Sequence, residues 1–207
     1  VSFVGPTGGG KTTIAKLMCR FYDPSEGSIT LDNINLKDIS LQSLHSQLGI
    51  VPQEPFLFHG TIKDNILFAR PEATDEEVVE ACKAVGIEEM IRRLPEGLET
   101  HCHERGSSLS SGERQLLALA RAFLSKPRVL ILDEATSNVD QQNEAKIERA
   151  LDKLLEGRTA IIIAHRLATT RRADVIVVID EQKIIEMGSH EELIQKKGSY
   201  FQMYETW

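Results

Sequence analysis

The stretch VSFVGPTGGGKTT, residues 1–13, decides the fold. The short run Ser2–Val4 is typical of a buried strand, and residues 5–12 fit the pattern G-x-x-x-x-G-K-[ST] directly before a helical pattern. Glycines let the backbone curl so that successive N–H groups face a phosphate, and the N-terminus of the helix adds a favourable dipole. A strand, a glycine-rich loop and a helix in this order therefore predict a phosphate-binding site.

The two polar residues that end the loop have separate roles. Lys11 supplies a positive charge to the β- and γ-phosphates of a nucleotide, and Thr12 offers its hydroxyl to Mg²⁺. A glycine-rich turn that binds nothing is the alternative, but such a turn has no need of Lys and Thr at these offsets. The loop therefore predicts a nucleotide site. Its predicted phosphate-binding residues are Gly5, Pro6, Thr7, Gly8, Gly9, Gly10, Lys11, Thr12 and Thr13.

The segment VLILDE, residues 129–134, indicates where the chemistry takes place. Its four apolar residues predict a buried strand, and ligands of open α/β sheets bind at the carboxyl edge, where Asp133 and Glu134 follow. Asp133 is expected to hold the Mg²⁺ shell, and Glu134 to orient or deprotonate an attacking water. A solvated pair of acids is the alternative and is common at strand ends. The phosphate loop in the same chain favours the functional interpretation, and Glu134 favours hydrolysis over binding alone.

Composition limits the class of protein. The 207 residues, 41% hydrophobic and 27% charged, suffice for one globular domain with a sizeable core. The net charge of −7, without a long Lys/Arg block, argues against a nucleic-acid partner. Cys19, Cys82 and Cys102 are odd in number and widely spaced, which argues against a disulfide framework and for a reducing compartment. No apolar run approaches the length of a membrane span.

Strand-like and helical segments alternate along the chain, which predicts a mainly parallel α/β sheet with right-handed crossovers. The block 54–126 differs, because it has helical patterns at 74–85 and 111–125 and no obvious strand. A hairpin over 175–187 and a helix from His190 onward are predicted beyond it. Because the chain opens directly on a central strand, we expect a cropped N-terminus with the opening strands missing. The predicted strands are Ser2–Val4, Gly49–Val51, Val129–Leu132, Ala160–Ile163 and Val175–Ile179.

Further motifs narrow the class of nucleotide-binding protein. The guanine-reading pattern NKxD is absent, which disfavours a GTPase, and no arginine-rich lid indicates a nucleotide kinase. After the phosphate loop come VPQEPFLFHGTI (51–62), LSSGE (109–113), DEATSNVD (133–140) and IIIAHRL (161–167), in that order. Over essentially its whole length the chain resembles the nucleotide-binding domain of ATP-binding-cassette (ABC) transporters. It is most similar to the exporter branch.

The resemblance implies a fold. It is a P-loop NTPase (RecA-like) core of about 1–53 and 127–207, with an inserted α-helical subdomain of about 54–126 that carries the signature LSSGE. In this family an aromatic residue upstream of the phosphate loop stacks on adenine. Only four residues precede Gly5, so these 207 residues alone are expected to bind ATP weakly and to hydrolyse it poorly.

The resemblance also implies the ligands ATP and Mg²⁺ and a set of roles. In this family the glutamine of the motif at 51–62 senses the metal and the attacking water. A histidine contacts the γ-phosphate, and the segment after the catalytic glutamate reaches the dimer interface. The residues at these positions are the catalytic Glu134, His165 and Gln53, the Mg²⁺ ligands Thr12, Gln53 and Asp133, and Asp140 at the interface.

Partners follow from the same resemblance. Two such domains sandwich two ATP molecules, and each signature, here Leu109, Ser110, Ser111, Gly112 and Glu113, faces the ATP held by the other domain. The signature departs from LSGGQ at Ser111 and Glu113, so a heterodimer is slightly favoured over a homodimer. A transmembrane domain is expected N-terminal in the same polypeptide. The nucleotide-binding domain is then expected at the cytoplasmic face of the membrane. The alternative is a soluble ABC-type ATPase that does not transport.

The sequence HCH, residues 101–103, raises the question of a metal site. Neighbouring residues of an extended segment point to opposite sides, so His101, Cys102 and His103 are not expected to converge on one ion. The segment instead resembles the exporter pattern T-x-V-G-E-R-G, with Cys102 and His103 in place of Val and Gly. The replacement leaves open how this segment contacts the transmembrane domain.

Overall fold

A computed structural model of the protein describes residues 1–102, 108–133, 141–164 and 167–206, without the side chains at 141, 142, 167 and 168. Backbone contacts divide the chain into two compact units. The first comprises Val1–Leu48, Ile131–Glu134 and Ala160–Trp207, and the second comprises Gly49–Leu130 and Ala135–Thr159. The division into a core of about 1–53 and 127–207 and a helical subdomain of about 54–126 stays a prediction.

The described elements follow one another in a mixed α/β order. The strands are β1 Ser2–Val4, β2 Thr30–Leu31, β3 Ile34–Asn35, β4 Leu48–Val51, β5 Gly60–Thr61, β6 His101–Cys102, β7 Val129–Asp133, β8 Thr159–Ile163, β9 Ile176–Asp180 and β10 Lys183–Gly188. The helices are α1 Lys11–Met18, α2 Leu41–Gln47, α3 Ile62–Leu67, α4 Asp75–Val85, α5 Glu88–Arg93, α6 Ser111–Ser125, α7 Gln141–Leu155, α8 Leu167–Thr170, α9 His190–Lys196 and α10 Ser199–Thr206.

Six strands form one sheet in the order β10-β9-β1-β8-β7-β4. The strand β1 lies parallel to both of its neighbours, with Ser2 opposite Ile162 in β8 and Ile176 in β9. At one edge of this sheet β10 pairs antiparallel with β9, and the predicted mainly parallel sheet is confirmed. All three residues of β1 are buried, as expected of a parallel strand that is covered on both faces.

Helix α1 covers one face of this sheet within the first unit. Ile14 and Met18 pack against Phe3, Val177 and Ile179, which belong to β1 and β9. The residues that follow them, Ala15 and Cys19, join a second cluster with residues of β7 and β8. This i, i+4 spacing of apolar side chains is what an amphipathic helix needs to lie along a sheet. The packing fixes the start of α1 relative to the end of β1, and thereby the loop between them.

The helices of the second unit begin at side-chain caps. Thr61, Thr74 and Ser110 each open a helix with a capping box, in which the cap oxygen accepts a backbone N–H and an acid three residues on returns the bond. α6 is buried along most of its length, and α4 and α7 both pack against it. The two helices predicted at 74–85 and 111–125 are therefore found within a residue of their expected bounds.

Two short ladders were not predicted from the sequence. β2 pairs with β3, and β5 pairs with β6, each over two residues. The expectation that block 54–126 has no strand was therefore wrong. A strand of two residues spans a single period of the alternation by which strands are recognised, so its sequence shows no repeat.

The C-terminal hairpin and helices follow the prediction closely. Glu181 and Gln182 both have positive φ, 46° and 63°, as a two-residue type I′ turn requires. The carboxylate of Glu186, in β10, accepts the N–H groups of Ser199 and Tyr200 at 2.8 and 2.9 Å, and so caps α10. No helix in the described part of the chain is long and apolar enough to cross a membrane. All three cysteines are free thiols and buried.

The start of α4 predicts an acid-sensitive contribution to stability. The Arg70 guanidinium, followed by the Thr74 N–H, lowers the pKa of Glu77 from 4.5 to about 2. A lowered folded-state pKa adds stability that is complete above the ordinary value and is lost as the pH falls from about 4.5 towards 2. We expect Glu77→Gln to lower the urea midpoint at pH 7. The difference in urea midpoint between the variant and the unmodified chain should become smaller as the pH falls through this range.

Glu80→Gln, on the exposed side of the same helix, is the matched control for that measurement. It removes one carboxylate of α4 that is outside the capping box and makes no ion pair with another described residue. A pH-dependent difference of equal size in both variants would show that overall charge, and not the contact between Arg70 and Glu77, sets the acid sensitivity.

Candidate nucleotide-binding site

The loop between β1 and α1 has a backbone that only glycine adopts readily. Gly5, Gly8 and Gly10 have φ values of 144°, 83° and 103°. At Gly5 a Cβ atom would lie 1.9 Å from the carbonyl oxygen of Ile179, so the loop also depends on close approach to the end of β9. At Gly8 no atom lies within 4 Å of the corresponding position. Two glycines of the same loop thus serve different purposes, close packing and backbone freedom.

Lys11 anchors the loop from inside. Its side chain is 4% exposed, and Nζ donates to the carbonyl oxygens of Gly5 and Pro6 at 2.8 and 2.9 Å. The loop therefore curls around the ammonium group, which lies where the sequence pattern requires a positive charge for a phosphate. Thr12 and Thr13, the next two residues, are exposed.

The N-terminus of α1 provides a second feature of a phosphate site. Its cap is Gly10, which has no side chain to accept a backbone N–H, and no acid lies in the first turn. Helices normally satisfy these N–H groups by a capping side chain, water or a ligand. An anion at this end is also favoured by the helix dipole. The predicted residues Gly5 to Thr13 are thus brought together as one cradle.

A cleft of about 320 Å³ borders this cradle. It is lined by Gly8, Gly9, Gly10, Thr13, Ile14, Ile179 and Gln182. The turn of the β9–β10 hairpin therefore contributes Gln182 to the surroundings of the phosphate loop. No sequence pattern predicts this contribution of Gln182, since the residue lies about 170 positions after the loop and belongs to no motif.

Asp133 ends β7, two strands from β1 in the sheet, and is half-buried. Its carboxylate and the Thr12 hydroxyl are oxygen donors, the ligand type that Mg²⁺ prefers. In the described ranges no group of three or more His, Cys, Asp or Glu residues is placed to hold a metal ion. The residues present therefore fit a cation held partly by nucleotide phosphates and water, as Mg²⁺ usually is in such sites.

Gln53 lies in the second unit, exposed, two residues after β4. The segment that follows it is tied down by Arg121 of α6, which sequence analysis missed. Arg121 donates from Nη1 to the Phe56 carbonyl and from Nε to the Asn65 carbonyl, both at 2.6 Å. Its guanidinium also lies 5.5 Å from the Phe58 ring centre, and burial lowers its pKa to about 10. An arginine within the otherwise apolar run 116–124 was the available signal.

The signature segment forms the start of α6. Ser110 Oγ accepts the Glu113 N–H at 3.2 Å, and Glu113 Oε2 accepts the Ser110 N–H at 2.8 Å. The acid at position 113 is therefore part of the helix cap. Gly112 is buried, and a Cβ there would lie 2.6 Å from the Asn143 Cβ of α7. Leu109 is buried. Ser111 is half-buried, and it is not without an interaction partner.

Three of the predicted site residues, Glu134, Asp140 and His165, lie outside the described residues. His103 lies outside them too. The roles assigned to these positions from the sequence stay predictions.

The cradle and sheet order described above agree with comparisons to known proteins. The family model described as ABC transporter matches residues 1–137. The chain belongs to the ABC transporter family. It carries that family's ATP-binding ATPase domain, with the P-loop NTPase fold.

Individual relatives extend the likeness to almost the whole chain. The Uncharacterized ABC transporter ATP-binding protein YknV of Bacillus subtilis (strain 168) is 54% identical over 97% of this chain. ABC transporter aclQ of Aspergillus oryzae is 48% identical over 98% of it. A solved structure titled as a bacterial Atm1-family ABC exporter with ATP bound matches 99% of the chain, with a TM-score of 0.93 and 42% identity. The chain spans 33%, 25% and 36% of the lengths of these three proteins.

Gly5 and Gly8 of the ABC phosphate loop provide a matched test of close packing against backbone freedom. Gly5→Ala combines a left-handed φ with a Cβ placed on the Ile179 carbonyl, whereas Gly8→Ala adds only the strained φ. Left-handed strain costs roughly 1–3 kcal/mol. We therefore expect both variants to lower the melting temperature and Gly5→Ala to lower it clearly more. Equal losses would mean that the approach of Gly5 to β9 does not constrain the loop.

Proposed function

We propose that the chain is the Mg²⁺-dependent ATP-hydrolysing domain of an ABC exporter, dimerising around two ATP molecules to power transport through an associated transmembrane domain. The observation that carries the proposal is the loop closed around the buried Lys11 ammonium at an uncapped helix N-terminus. Such a cradle suits a nucleotide phosphate. The 42% identity to an ATP-bound exporter over 99% of the chain supports the branch.

The chemistry falls to a small number of residues. Backbone N–H groups of the loop and Lys11 bind the phosphates and stabilise charge on the β- and γ-oxygens. Thr12, Asp133 and Gln53 would hold a bound Mg²⁺, which would supply positive charge to neutralise the phosphates. Glu134 accepts a proton from the attacking water, and His165 and Gln53 orient the γ-phosphate and that water. These residues need only position and stabilise the reacting groups, because phosphoryl transfer requires little covalent chemistry from the protein.

The partner is a second nucleotide-binding domain. The N-terminus of α6 with its signature faces the ATP held by that domain, and Asp140 lies at the interface. The capping box of Ser110 and Glu113 supports binding of a phosphate at this helix N-terminus, because the Glu113 carboxylate is hydrogen-bonded within the cap. At Ser111 the family's glycine is replaced, and a heterodimer with an intact signature in the other subunit remains the slightly favoured assembly.

The membrane partner is a transmembrane domain, N-terminal in the same polypeptide, with this domain at its cytoplasmic face. Relatives about three to four times the length of the chain support a longer polypeptide. An aromatic surface of Phe56, Phe58 and Phe68, 53%, 38% and 61% exposed, supports a contact near the segment after Gln53. A soluble ABC-type ATPase that does not transport is the competing function, and membrane extraction of the natural polypeptide separates the two.

Replacing Glu134 tests the assignment of the catalytic base. In the natural polypeptide that contains the chain, Glu134→Gln should lower the ATP hydrolysis rate by about 10²–10⁴-fold, the usual contribution of a general base. ATP binding should persist, since Lys11 and the loop are unchanged. Glu156→Gln, at the exposed end of α7, is the control and should retain the rate. Unchanged hydrolysis in Glu134→Gln would refute the proposed mechanism.

Restoring the signature glycine tests the assembly. In a purified homodimer of the natural polypeptide, Ser111→Gly should raise the ATP turnover if Ser111 keeps the backbone from the partner's phosphate. Gly112→Ala is the contrasting variant and should destabilise the fold, because its Cβ meets Asn143. High turnover of the unmodified homodimer, with no gain in Ser111→Gly, would count against the heterodimer.

A further inference from the structure

The short β5–β6 ladder brings two distant histidines to one face. Gly60 pairs with Cys102, and Thr61 pairs with His101. Residues two apart on a strand share a face, so His59, two residues before Thr61, is a diagonal neighbour of His101. The two imidazole rings accordingly have centroids 6.4 Å apart at an interplanar angle of 51°.

Burial separates these rings from the neighbouring cysteine. His59 and His101 are exposed, whereas Cys102 is 2% exposed, and burial raises the pKa of its thiol. Consecutive residues therefore do point to opposite sides of β6, as the sequence predicts. A second imidazole comes instead from His59, directly before β5 and more than forty residues earlier in the chain.

An acidic group lies beside the pair. Asp64 accepts the Thr61 N–H at 2.9 Å, and its Oδ2 serves the capping box of α3. Hydrogen bonds from Thr61 lower the pKa of Asp64, and His101 contributes a further electrostatic lowering. The carboxylate thus stays ionised close to His101, and its charge favours a cation at this surface.

We propose that His59 and His101 form a surface site for a divalent transition-metal ion of the zinc class. Imidazole nitrogen suits zinc, copper and nickel. Zn–N bonds of about 2.0–2.1 Å place two ligating nitrogens roughly 3.3 Å apart in tetrahedral geometry. Exposed histidines reach that separation by rotamer changes of the two rings. Water completes the coordination, since the described residues offer no third ligand placed for it.

A bound ion would cross-link the two strands. β5 follows the segment that begins at Gln53, and β6 precedes the signature helix α6. Both strands belong to the second unit. The ion would therefore stabilise the ladder and the adjoining hydrogen bond from the Ile62 N–H to the Thr100 carbonyl, which measures 3.0 Å. This site is independent of the proposed ATPase function.

Calorimetric titration of the tag-free 207-residue chain with Zn²⁺, without nucleotide, tests the site. We expect one saturable site per chain that excess Mg²⁺ does not displace, because Mg²⁺ prefers oxygen ligands. His59→Gln and His101→Gln should each weaken Zn²⁺ binding by at least about tenfold, since even partners of metal ligands commonly contribute that much. His45, an exposed residue of the first unit, supplies the matched control His45→Gln, which should bind as tightly as the unmodified chain.

Hydrogen exchange gives a second readout that general surface binding does not move. Zn²⁺ should slow exchange of the Ile62 N–H in the unmodified chain and in His45→Gln, but not in His59→Gln. Absence of saturable binding, or equal affinity in the unmodified chain and both site variants, would overturn the proposal. The site as proposed does not depend on His103.

Discussion

The rest of the site depends on how one buried ammonium group is kept hydrogen-bonded. Removing an ammonium ion from water costs several kcal/mol, and Lys11 recovers part of that cost through the carbonyls of Gly5 and Pro6. The left-handed φ of Gly5 is part of the loop conformation that turns those carbonyls inward. Gly5 in turn lies against the Ile179 carbonyl, so the loop is positioned by the pairing of β1 with β9. The conformation of the phosphate cradle thus follows from the register of the central sheet.

The sequence predicts those parts of this arrangement that leave a local signature. The bounds of α6 were predicted as found, because Ser110 and Glu113 form a capping box that can be read from the sequence. The central strands were predicted because each is a continuous apolar run. The β5–β6 ladder and the Arg121 contacts were not, since a two-residue strand has no period and a buried arginine is defined by its partners. The proximity of His59 and His101 depends on the same long-range pairing.

The signature shows how a motif combines structural and functional requirements. Gly112 is needed for packing, because α6 and α7 approach so closely that a Cβ would meet Asn143. Ser110 and Glu113 are needed for the helix cap. Ser111 is half-buried and takes part in an interaction of its own. The departure from the family pattern at position 111 is therefore compatible with this fold.

The segment between Gln53 and α3 is held at both of its ends by interactions that reach α6. Arg121 of α6 binds the Phe56 carbonyl, and β5 pairs with β6, which leads into the signature. Asn65 closes the same region, since its side chain bonds both the N–H and the carbonyl of Phe58. A displacement of this segment therefore strains hydrogen bonds to a buried helix. Because desolvated hydrogen bonds are costly to leave unmade, the segment and the start of α6 are expected to move together.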